Sequence, residues 1–395
     1  MPGPLNGIRV IDLTRVLAGP YCTMMLADLG AEIIKIERPE TGDDSRAFGP
    51  FLNGHSAYFM SINRGKKSMT LNLKNPEAKK IFMQLVEKAD VVVENFKPGV
   101  MKKLGIDYKA LSGINNRLVF ASSTGFGQTG PYTSRPAYDL IIQGMGGMMS
   151  ITGPSADQPS KVGSSIADII SGMFTAFGIV NALYAREKTG KGQAIDVAML
   201  DSMIAVLENA IVRFSTTNEA PVPIGNRHPS IAPFSSFSTS DGLINIAIGN
   251  DDLWKKFCEL IGKAELSDDS RFKGNAERVK NWYQLFEILK AVFVTKKTDE
   301  WLELFQKNDI PSGPINDVKK IFADPQVKAR EMLLELIHPI AGKITVPGNP
   351  VKFSETPAKV ASTSPLLGEH TDEILSGILK MSSEEIAAMK KSGAI

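Results

Sequence analysis

One aspartate stands out in this 395-residue chain as a side chain positioned to do chemistry. Asp168 lies between small residues in SSIADIISGM, where a long, mainly apolar helix is predicted to begin and to run to about Lys188. We expect the helix dipole and free amide groups there to keep a carboxylate ionised and to hold nearby negative charge. Asp168 is therefore a candidate catalytic carboxylate, and the alternative is an ordinary aspartate that caps the helix.

Basic residues recur at the ends of predicted strands or in the loops after them. Arg15 follows VIDLT and Arg38 follows IIKIE. Lys74 follows TLNL, and Arg135 lies in the loop beyond RLVFAS. In a parallel sheet the carboxyl ends of the strands form one edge, where ligands bind. Cations converging there would suit a polyphosphate ligand, although each side chain could also simply face water. Phe96 is suited either to stacking on a planar base or to capping the core.

Three glycine-containing segments approach nucleotide-binding motifs but lack the required context. GFGQTG (125–130) fits G-x-G-x-x-G after a strand, yet Pro131 follows it and no amphipathic helix opens from its last glycine. NRGKKS (63–68) and KTGKGQ (188–193) lack the earlier glycine and the Ser or Thr directly after lysine that a phosphate-binding loop needs. We therefore expect neither a nicotinamide or flavin site nor a P-loop.

The elements that must position these residues alternate between β-rich runs and helical stretches in the first half of the chain. This pattern predicts a large Rossmann-like α/β domain with a parallel sheet and crossover helices. We assign residues 1–214 to that domain and 215–325 to a linker and a smaller α+β domain. Residues 326–395 are expected to return to the large domain. A second helix is predicted around Met199–Phe214, after the helix that contains Asp168.

Composition argues against several classes of protein. The formal charge is +2 without a long basic block, so neither nucleic acid nor a membrane is an expected partner. Cys22 and Cys258 form no CxxC pair and the four histidines lack metal-ligand spacing, so we expect no disulfide framework and no metal. No apolar run reaches the roughly 18 residues of a membrane span. The opening residues MPGPLNGIRV lack a signal-peptide pattern, so the expected location is the cytoplasm.

Seven sequence segments, which follow one another in a fixed order almost from end to end of the chain, together form a recognisable pattern. They are LNGIRVIDLTRVLAGPYCTMMLADLGAEIIKIERPETGDDSR (5–46), NRGKKSMTLNL (63–73), DVVVENFKPGVMKKLGID (90–107), SSTGFGQTGPY (122–132), RPAYDLIIQGMGGMMSITG (135–153), ADIISGMFTAFGIVNALYAREKTGKGQ (167–193) and SPLLGEHTDEIL (364–375). With them the chain resembles the family III CoA-transferases, a group that contains formyl-CoA transferase, carnitine CoA-transferase and, as a relative, α-methylacyl-CoA racemase.

The resemblance implies a mechanism and an assembly. Asp168 matches the family's catalytic aspartate, which attacks an acyl-CoA thioester to give an aspartyl acyl anhydride and CoA thiolate. The thiolate then attacks the aspartyl carbonyl, and a second acid reopens the resulting aspartyl-CoA thioester. The implied substrates are an acyl-CoA, with succinyl-CoA or acetyl-CoA as donor, and a free carboxylic or dicarboxylic acid. No cofactor is expected to be permanently bound, and the implied assembly is an interlocked homodimer.

Contacts to coenzyme A carry over from the family residue by residue. The implied contacts are Val16, Leu17, Ala18, Arg38, Leu71, Asn72, Leu73, Lys74, Asn95, Phe96, Lys97, Lys103, Arg135, Pro136, Ala137 and Tyr138. Lys103 replaces a family arginine, so it keeps the charge but loses the two-pronged hydrogen bonding of a guanidinium. Leu17 stands where formyl-CoA transferase has a glutamine that contacts its oxalyl group, which argues against oxalate or formate specificity.

Other positions bear on the reaction and on the acyl group. Racemase relatives have a histidine before the aspartate that corresponds to Asp139, whereas this chain has Tyr138, and a phenol with a pKa of about 10 is a poor base for α-proton exchange. CoA transfer is therefore favoured, and the alternatives are an acyl-CoA racemase or isomerase and a non-catalytic CoA-binding protein. With Tyr138 and Asp139, the expected substrate contacts are Gly249 and Asn250, where the family's glycine-rich loop falls. Arg227 either binds a second carboxylate of the acceptor or is an ordinary solvated arginine.

Overall fold

The protein forms two compact units in a computed structural model that describes residues 2–395. The first unit comprises the described residues up to Met148, Lys161–Thr216 and Gln326–Ile395, and the second comprises Met149–Ser160 and Thr217–Pro325. The boundaries drawn from the sequence put residues 149–160 with the large domain, whereas these residues pack within the second unit. Whether either unit folds alone, as the word domain implies, stays a prediction.

The helices and strands follow one another along the chain as follows. The strands are β1 Arg9–Asp12, β2 Glu32–Glu37, β3 Phe51–Leu52, β4 His55–Ser56, β5 Lys66–Thr70, β6 Val91–Glu94, β7 Val119–Thr124, β8 Ala194–Ala198, β9 Phe234–Ser238, β10 Leu243–Ala247, β11 Ser312–Pro314, β12 Leu333–His338 and β13 Gly342–Pro347. The α-helices are α1 Ala18–Asp28, α2 Ala57–Ile62, α3 Pro76–Glu87, α4 Val100–Leu104, α5 Tyr108–Ile114, α6 Asp139–Met145, α7 Met148–Ile151, α8 Ile166–Thr189, α9 Met199–Ala205, α10 Ala210–Thr217, α11 Asp251–Leu260, α12 Asn275–Lys280, α13 Trp282–Phe293, α14 Thr298–Gln306, α15 Val318–Ala323, α16 Pro325–Ala329, α17 Thr371–Gly377 and α18 Ser383–Lys391.

A sheet with the strand order β5-β2-β1-β6-β7-β8 is the centre of the first unit. Every pairing in it is parallel, which confirms the predicted α/β fold class. Successive strand residues point to opposite faces. Ile11 and Val92 therefore pack with α3 on one face, whereas Val10 and Val91 pack with α1 and α8 on the other. Both faces are buried, as is usual for a parallel sheet.

The chain reverses its progress across this sheet at β1. It first proceeds outward through β2 to β5, and it then returns to the other side of β1 and continues through β6, β7 and β8. At such a reversal the loops after neighbouring strands diverge and leave a crevice at the carboxyl edge. The loops after β1, β2, β5 and β6 contain Arg15, Arg38, Leu71–Lys74 and Phe96. The fold thus brings these residues to one edge.

Two helical predictions have different outcomes. The long helix predicted to contain Asp168 is present as α8, which spans Ile166–Thr189, and its C-cap residue Gly190 has a φ of 71°. The single helix predicted around Met199–Phe214 is wrong, because α9 and α10 are separate helices. Glu208 lies between them with a φ of 54°, and a left-handed residue cannot continue a right-handed helix.

Helix α8 is the one helix of residues 2–395 that is long and apolar enough to cross a membrane by length and composition. Core helices of globular proteins meet the same criteria. Helix α8 packs along α1, and a side chain at Gly172 would collide with the main chain of Ala18. Its apolar character is therefore weak evidence for a membrane span.

The second unit is built on an antiparallel sheet with the order β11-β10-β9. Its core is unusually aromatic, and the buried rings from α11, α13 and α14 are Trp254, Phe257, Trp282, Phe293, Trp301 and Phe305. Phe293 meets Trp301 edge-on with 5.2 Å between ring centroids, a favourable arrangement for an aromatic pair.

Candidate active site

A cavity of about 1200 Å³ opens at the carboxyl edge of the parallel sheet, where the loops after β1, β2, β5 and β6 meet. Pockets for drug-sized ligands typically measure about 300–1,000 Å³, so this cavity can hold a larger molecule. Among the CoA contacts predicted from the sequence, those that line it are Arg38, Leu71, Asn72, Leu73, Lys74, Phe96 and Lys97.

The C-terminal segment forms another wall of this cavity, which the sequence reasoning did not assign. The residues that it contributes are Leu367, Gly368, Glu369, Thr371, Asp372, Lys390, Gly393 and Ile395. The amide of Asn72 donates to the carbonyl of Ala394 at 2.8 Å, and the amide of Thr70 donates to the hydroxyl of Thr371 at 3.1 Å. These bonds tie the segment to the end of β5. The family-like segment SPLLGEHTDEIL was the sequence signal that could have revealed this wall.

The cations of the cavity fall into two groups. Lys74 and Lys97 lie in its wall without a carboxylate partner among residues 2–395. Arg15 and Arg38 instead share Asp44, with N–O distances of 2.9 and 2.5 Å. Lys35 and Lys390 also line the cavity, and each is paired with a carboxylate. A phosphate group entering the cavity would thus meet two free cations and four that are already paired with a carboxylate.

The residues Val16, Leu17 and Ala18 lie where β1 passes into α1. Helix α1 begins at Ala18, and its first turn packs against α8, since a Cβ added at Gly172 would lie only 2.6 Å from the carbonyl oxygen of Ala18. Asp168 lies about one helical turn before Gly172 on α8. The predicted CoA contacts at 16–18 and the candidate nucleophile therefore occupy one corner of the first unit.

Asp168 is the third residue of α8, and the N-cap of that helix is Ser165. The alternative that Asp168 caps the helix is therefore wrong. The carboxylate that does cap it belongs to Asp139, which accepts a hydrogen bond from the amide of Ala167 at 2.9 Å. Within residues 2–395 no donor bonds the carboxylate of Asp168, and only its carbonyl accepts a bond, from the hydroxyl of Ser171.

The ionisation of Asp168 differs from the sequence-based expectation. Burial raises the pKa of Asp168 from its ordinary 3.8 to about 7, and the negative charge of Asp139 adds to the rise. A helix N-terminus favours the charged form by only about 0.3–1 kcal/mol, which is less than the roughly 1.36 kcal/mol of one pKa unit. The expectation that the helix end keeps this carboxylate fully ionised is therefore wrong near neutral pH.

Tyr58 is a neighbour of Asp168 that the sequence reasoning missed. It lies half-buried on α2 and meets Phe48 edge-on, with 5.6 Å between the ring centroids. Burial raises the pKa of Tyr58 to about 12, and the negative charges of Asp168, Asp43 and Asp139 contribute to the rise. The phenol therefore keeps its proton and can donate it in a hydrogen bond to an oxyanion. The segment HSAYFM gave no sequence signal for this role.

Tyr138 and Asp139 lie at the start of α6. Tyr138 is 74% exposed and directly precedes the helix. Both carboxylate oxygens of Asp139 are engaged, one by the amide of Ala167 at 2.9 Å and the other by the side-chain amide of Gln143 at 2.7 Å. Asp139 thus orders the first turn of α8, and its negative charge raises the pKa of Asp168.

Several predicted contacts of the first unit do not line the cavity. They are Val16, Leu17, Ala18, Asn95, Lys103, Arg135, Pro136, Ala137 and Tyr138. The candidate nucleophile Asp168 does not line it either. The side chain of Asn95 bonds both the amide and the carbonyl of Arg15 at 2.8 Å, so it supports the loop after β1. Arg135 stacks on Tyr132 at 3.8 Å.

The remaining predicted residues belong to the second unit. Asn250 caps α11, since its side-chain oxygen accepts a hydrogen bond from the amide of Leu253 at 2.8 Å. Gly249 precedes it, and a Cβ there would meet no atom of residues 2–395 within 4 Å. The guanidinium of Arg227 lies 5.7 Å from the ring centroid of Tyr283.

A cation-lined crevice at the reversal point of a parallel sheet is typical of α/β proteins that bind an anionic ligand at the carboxyl edge of the sheet. The sequence profile of CoA-transferase family III matches residues 5–371. The chain belongs to CoA-transferase family III. That assignment confirms the family predicted from the seven segments, and the family implies CoA thioesters as substrates.

Individual relatives agree with this assignment. The chain is 47% identical over 353 residues to acetyl-CoA:oxalate CoA-transferase of Acetobacter aceti, covering 89% of this chain and 90% of that protein. It is 41% identical over 393 residues to succinyl-CoA:glutarate CoA-transferase of Mus musculus, covering 99% and 90%. The crystal structure of a CaiB/BaiF family protein from Brucella suis superposes with a TM-score of 0.86 at 42% identity, covering 96% of this chain and 100% of that one.

Proposed function

We propose that this family III CoA-transferase uses Asp168 as a covalent nucleophile to move CoA from an acyl-CoA donor onto a free carboxylic acid. The observation that carries the proposal is the carboxylate of Asp168, which has no donor or cation bound to it among residues 2–395. A nucleophile needs free lone pairs, and a carboxylate engaged in a salt bridge has already committed them. Tyr58 lies near enough to Asp168 and to the cavity-lining Asp43 for both charges to raise its pKa.

The reaction is a series of acyl exchanges. An oxygen of the Asp168 carboxylate attacks the thioester carbonyl, the C–S bond breaks, and CoA thiolate leaves a mixed anhydride behind. The thiolate attacks the aspartyl carbonyl carbon, which releases the donor acid as its carboxylate and leaves an aspartyl-CoA thioester. The acceptor carboxylate then attacks the aspartyl carbonyl of this thioester, the C–S bond breaks, and a second mixed anhydride and CoA thiolate form. The thiolate attacks the acceptor's acyl carbon, which gives the new acyl-CoA and releases the carboxylate of Asp168. No proton is consumed overall, so the raised pKa of Asp168 limits only the fraction of enzyme that is ionised.

The phosphate-rich end of CoA is assigned to the cavity. Lys74, Lys97 and Arg38 supply cations for the phosphate groups, and Phe96 offers a ring on which the adenine can stack. Residues 16–18 are assigned to the thioester end because Ala18 packs against α8 at Gly172, about one turn from Asp168. The hydroxyl of Tyr58 is the proposed donor to the oxyanion that forms in each exchange. Lys103 and Arg135–Tyr138 remain predicted CoA contacts.

The substrate class follows from chemistry shared with the relatives. Their names specify acetyl-CoA or succinyl-CoA as donor and oxalate or glutarate as acceptor. We propose the same donors here, acting with a carboxylic or dicarboxylic acceptor. Leu17 offers no side-chain hydrogen bond to an oxalyl group, which favours an acceptor such as glutarate over oxalate.

An interlocked homodimer is the proposed assembly, and α8 supports it. This helix turns small residues such as Ala176 and Gly172 inward. Its large apolar residues are exposed, and they are Met173, Phe174, Phe177, Val180 and Tyr184. An apolar stripe of this length on a surface marks an interaction site. Replacing Phe177, which is 68% exposed, with glutamate should therefore yield monomers in sedimentation velocity.

The proposed location is the cytoplasm. Cys22 and Cys258 are free and buried, and burial raises the pKa of the Cys258 thiol to about 12. Thiols that are buried and protonated suit a reducing compartment, where no disulfide is needed for stability.

A transfer assay tests the proposed function. The purified protein is incubated with succinyl-CoA or acetyl-CoA and a panel of mono- and dicarboxylic acids, and new thioesters are identified by mass spectrometry. New acyl-CoA with the native protein, and none with Asp168→Asn, is the expected result. Deuterium appearing at the α-carbon in deuterated water, without transfer, would instead indicate a racemase. Binding of acyl-CoA with neither reaction would indicate a CoA-binding protein without turnover.

A further inference from the structure

We propose that Asp43, held in place by Lys35, is a positioning residue that fixes a strained turn at Val16 beside the nucleophile. This rests on the proposed function, because the turn bears on catalysis only if Asp168 carries the acyl group. Asp43 acts through the main chain, so it is distinct from the residues assigned to CoA binding and to the covalent step.

Val16 has a main-chain conformation that its side chain disfavours. Its φ is 66°, in the left-handed region where a β-branched residue is rare because its Cβ crowds the following carbonyl. Such conformations persist only where the surroundings over-determine them, and they cluster at functional sites. The turn therefore requires a specific support.

Hydrogen bonds to both peptide groups between Thr14 and Val16 provide that support. The carbonyl of Thr14 accepts a bond from Nζ of Lys35 at 2.7 Å. The amide and the carbonyl of Arg15 bond the side chain of Asn95, each at 2.8 Å. The amide of Val16 donates to Oδ1 of Asp43 at 3.1 Å. Asp43 thus holds the amide of Val16 itself, while Asn95 holds the carbonyl of the same peptide group.

Asp43 can hold this peptide because its carboxylate cannot move. Its Oδ2 lies 2.8 Å from Nζ of Lys35, and both side chains are fully buried. Burial opposes ionisation, but Lys35 and the bonds from Ser45 hold the pKa of Asp43 well below its usual range. Displacing either member would leave an uncompensated charge in the interior, which is strongly unfavourable. Oδ1, which accepts from Val16 and Ser45, is therefore a fixed acceptor.

The supported turn adjoins the nucleophile through the packing of α1 on α8. The turn leads directly into Ala18, whose carbonyl oxygen contacts α8 at Gly172. Asp168 is on the same face of the same helix, about one turn away. Covalent catalysis depends on sub-ångström placement of the reacting groups. A relaxed turn would shift the thioester relative to Asp168, so it should lower kcat more than it raises KM for acyl-CoA.

A double-mutant experiment tests this role. Asp43→Asn removes the charge that pins the carboxylate, and we expect kcat to fall by about 10–100-fold. Glycine adopts the left-handed region without strain. A Val16→Gly background should therefore reduce the loss caused by Asp43→Asn by about tenfold. Lys380→Gly is the matched control, because Lys380 also has a positive φ, of 61°, but lies between α17 and α18, and this background should not reduce the loss.

A second control separates positioning from loss of stability. Asp28, the last residue of α1, forms a similarly buried ion pair with Arg64 at 2.8 Å, at the end of the helix away from the turn at Val16. Asp28→Asn should lower the melting temperature as Asp43→Asn does, yet leave kcat within about twofold, because the pair does not touch the turn.

Hydrogen exchange, measured by mass spectrometry, reports how often the turn opens, independently of enzyme activity. A peptide covering residues 14–19 should exchange about tenfold faster in Asp43→Asn than in the native protein or in Asp28→Asn. Unchanged exchange, an equal loss of kcat in Asp28→Asn, or no relief in the Val16→Gly background would each overturn the proposal. A native protein that transfers no CoA would contradict the proposed function instead, and the exchange data would still decide whether Asp43 holds the turn.

Discussion

Asp43 and Asp168 are two carboxylates of the same unit whose surroundings are opposite in kind. Asp43 lies 2.8 Å from Lys35 and accepts two hydrogen bonds from Ser45. Its pKa is lowered although it is buried. Asp168 receives neither a cation nor a donor from residues 2–395, and burial with the nearby Asp139 raises its pKa to about 7.

The two environments suit different roles, structural support for Asp43 and reactivity for Asp168. A carboxylate whose oxygens are all engaged is a rigid acceptor, and this is what a strained turn needs. A carboxylate left without partners keeps its lone pairs for an electrophile, at the cost of being protonated in part near neutral pH. Under the proposed mechanism, neighbouring groups alone give one kind of side chain two roles in one fold.

The largest expected effect comes from removing the unpaired carboxylate. Asp168→Asn should lower kcat for CoA transfer by at least about a thousandfold, because the amide cannot form the anhydride. The steady-state rate of acyl-CoA formation measures this loss. Acyl-CoA binding, followed by calorimetry, should be retained, and a variant that binds but still transfers CoA would remove Asp168 from the mechanism.

Neutralising a free cation of the cavity should have a smaller effect, confined to binding. Lys97→Met should raise KM for acyl-CoA by about tenfold at low salt and leave kcat nearly unchanged, because a phosphate contact is lost. The matched control is Lys80→Met, since Lys80 pairs with Glu77 on α3 and does not line the cavity. Equal KM values for the two variants would argue against the assigned CoA site.

The parallel sheet was predictable from the sequence because its signal is local. Runs such as IRVIDL and EIIKIE are rich in β-branched residues and sit between helical stretches. Asp168 was also visible, from its small neighbours and its position at a helix start. The break between α9 and α10 was not visible, because it depends on the left-handed Glu208 rather than on a glycine or proline.

The surroundings of the two carboxylates were not predictable from the sequence. Lys35 reads as an ordinary strand lysine in EIIKIE, and only the folded chain shows that it is fully buried against Asp43. Tyr58 and the C-terminal wall approach the site from distant parts of the chain. The pKa of Asp168 reflects a balance between burial and a helix dipole, and a sequence pattern does not report that balance.

The pH dependence of CoA transfer provides a further test of how Asp168 differs from Asp43. Because an ionised Asp168 is required, kcat/KM should rise with pH through about 7. Asp139→Asn removes the negative charge that helps to raise this pKa, so the midpoint should move to lower pH. Asp299→Asn, at an exposed position on α14, is the control and should leave the midpoint unchanged. A midpoint that does not respond to Asp139→Asn would mean that another group titrates.

The smallest expected effect is on stability. Asp168 has a folded-state pKa of about 7, above its ordinary 3.8, so the folded protein holds this proton more tightly and loses stability as pH rises between those values. At pH 8, Asp168→Asn should therefore raise the free energy of unfolding, by about 1–2 kcal/mol after allowance for partial exposure. The gain in melting temperature should vanish below pH 4. A loss of stability at pH 8 would contradict the raised pKa.

Trapping the covalent intermediate tests the central claim most directly. The protein is mixed with acyl-CoA in the absence of an acceptor acid, quenched, and digested for peptide mass spectrometry, with a hydroxylamine-treated sample alongside. We expect CoA attached to the peptide that contains Asp168, and we expect hydroxylamine to convert this adduct to a hydroxamate at the same residue. An unmodified Asp168 under conditions in which the enzyme transfers CoA, or an adduct at another residue, would contradict it.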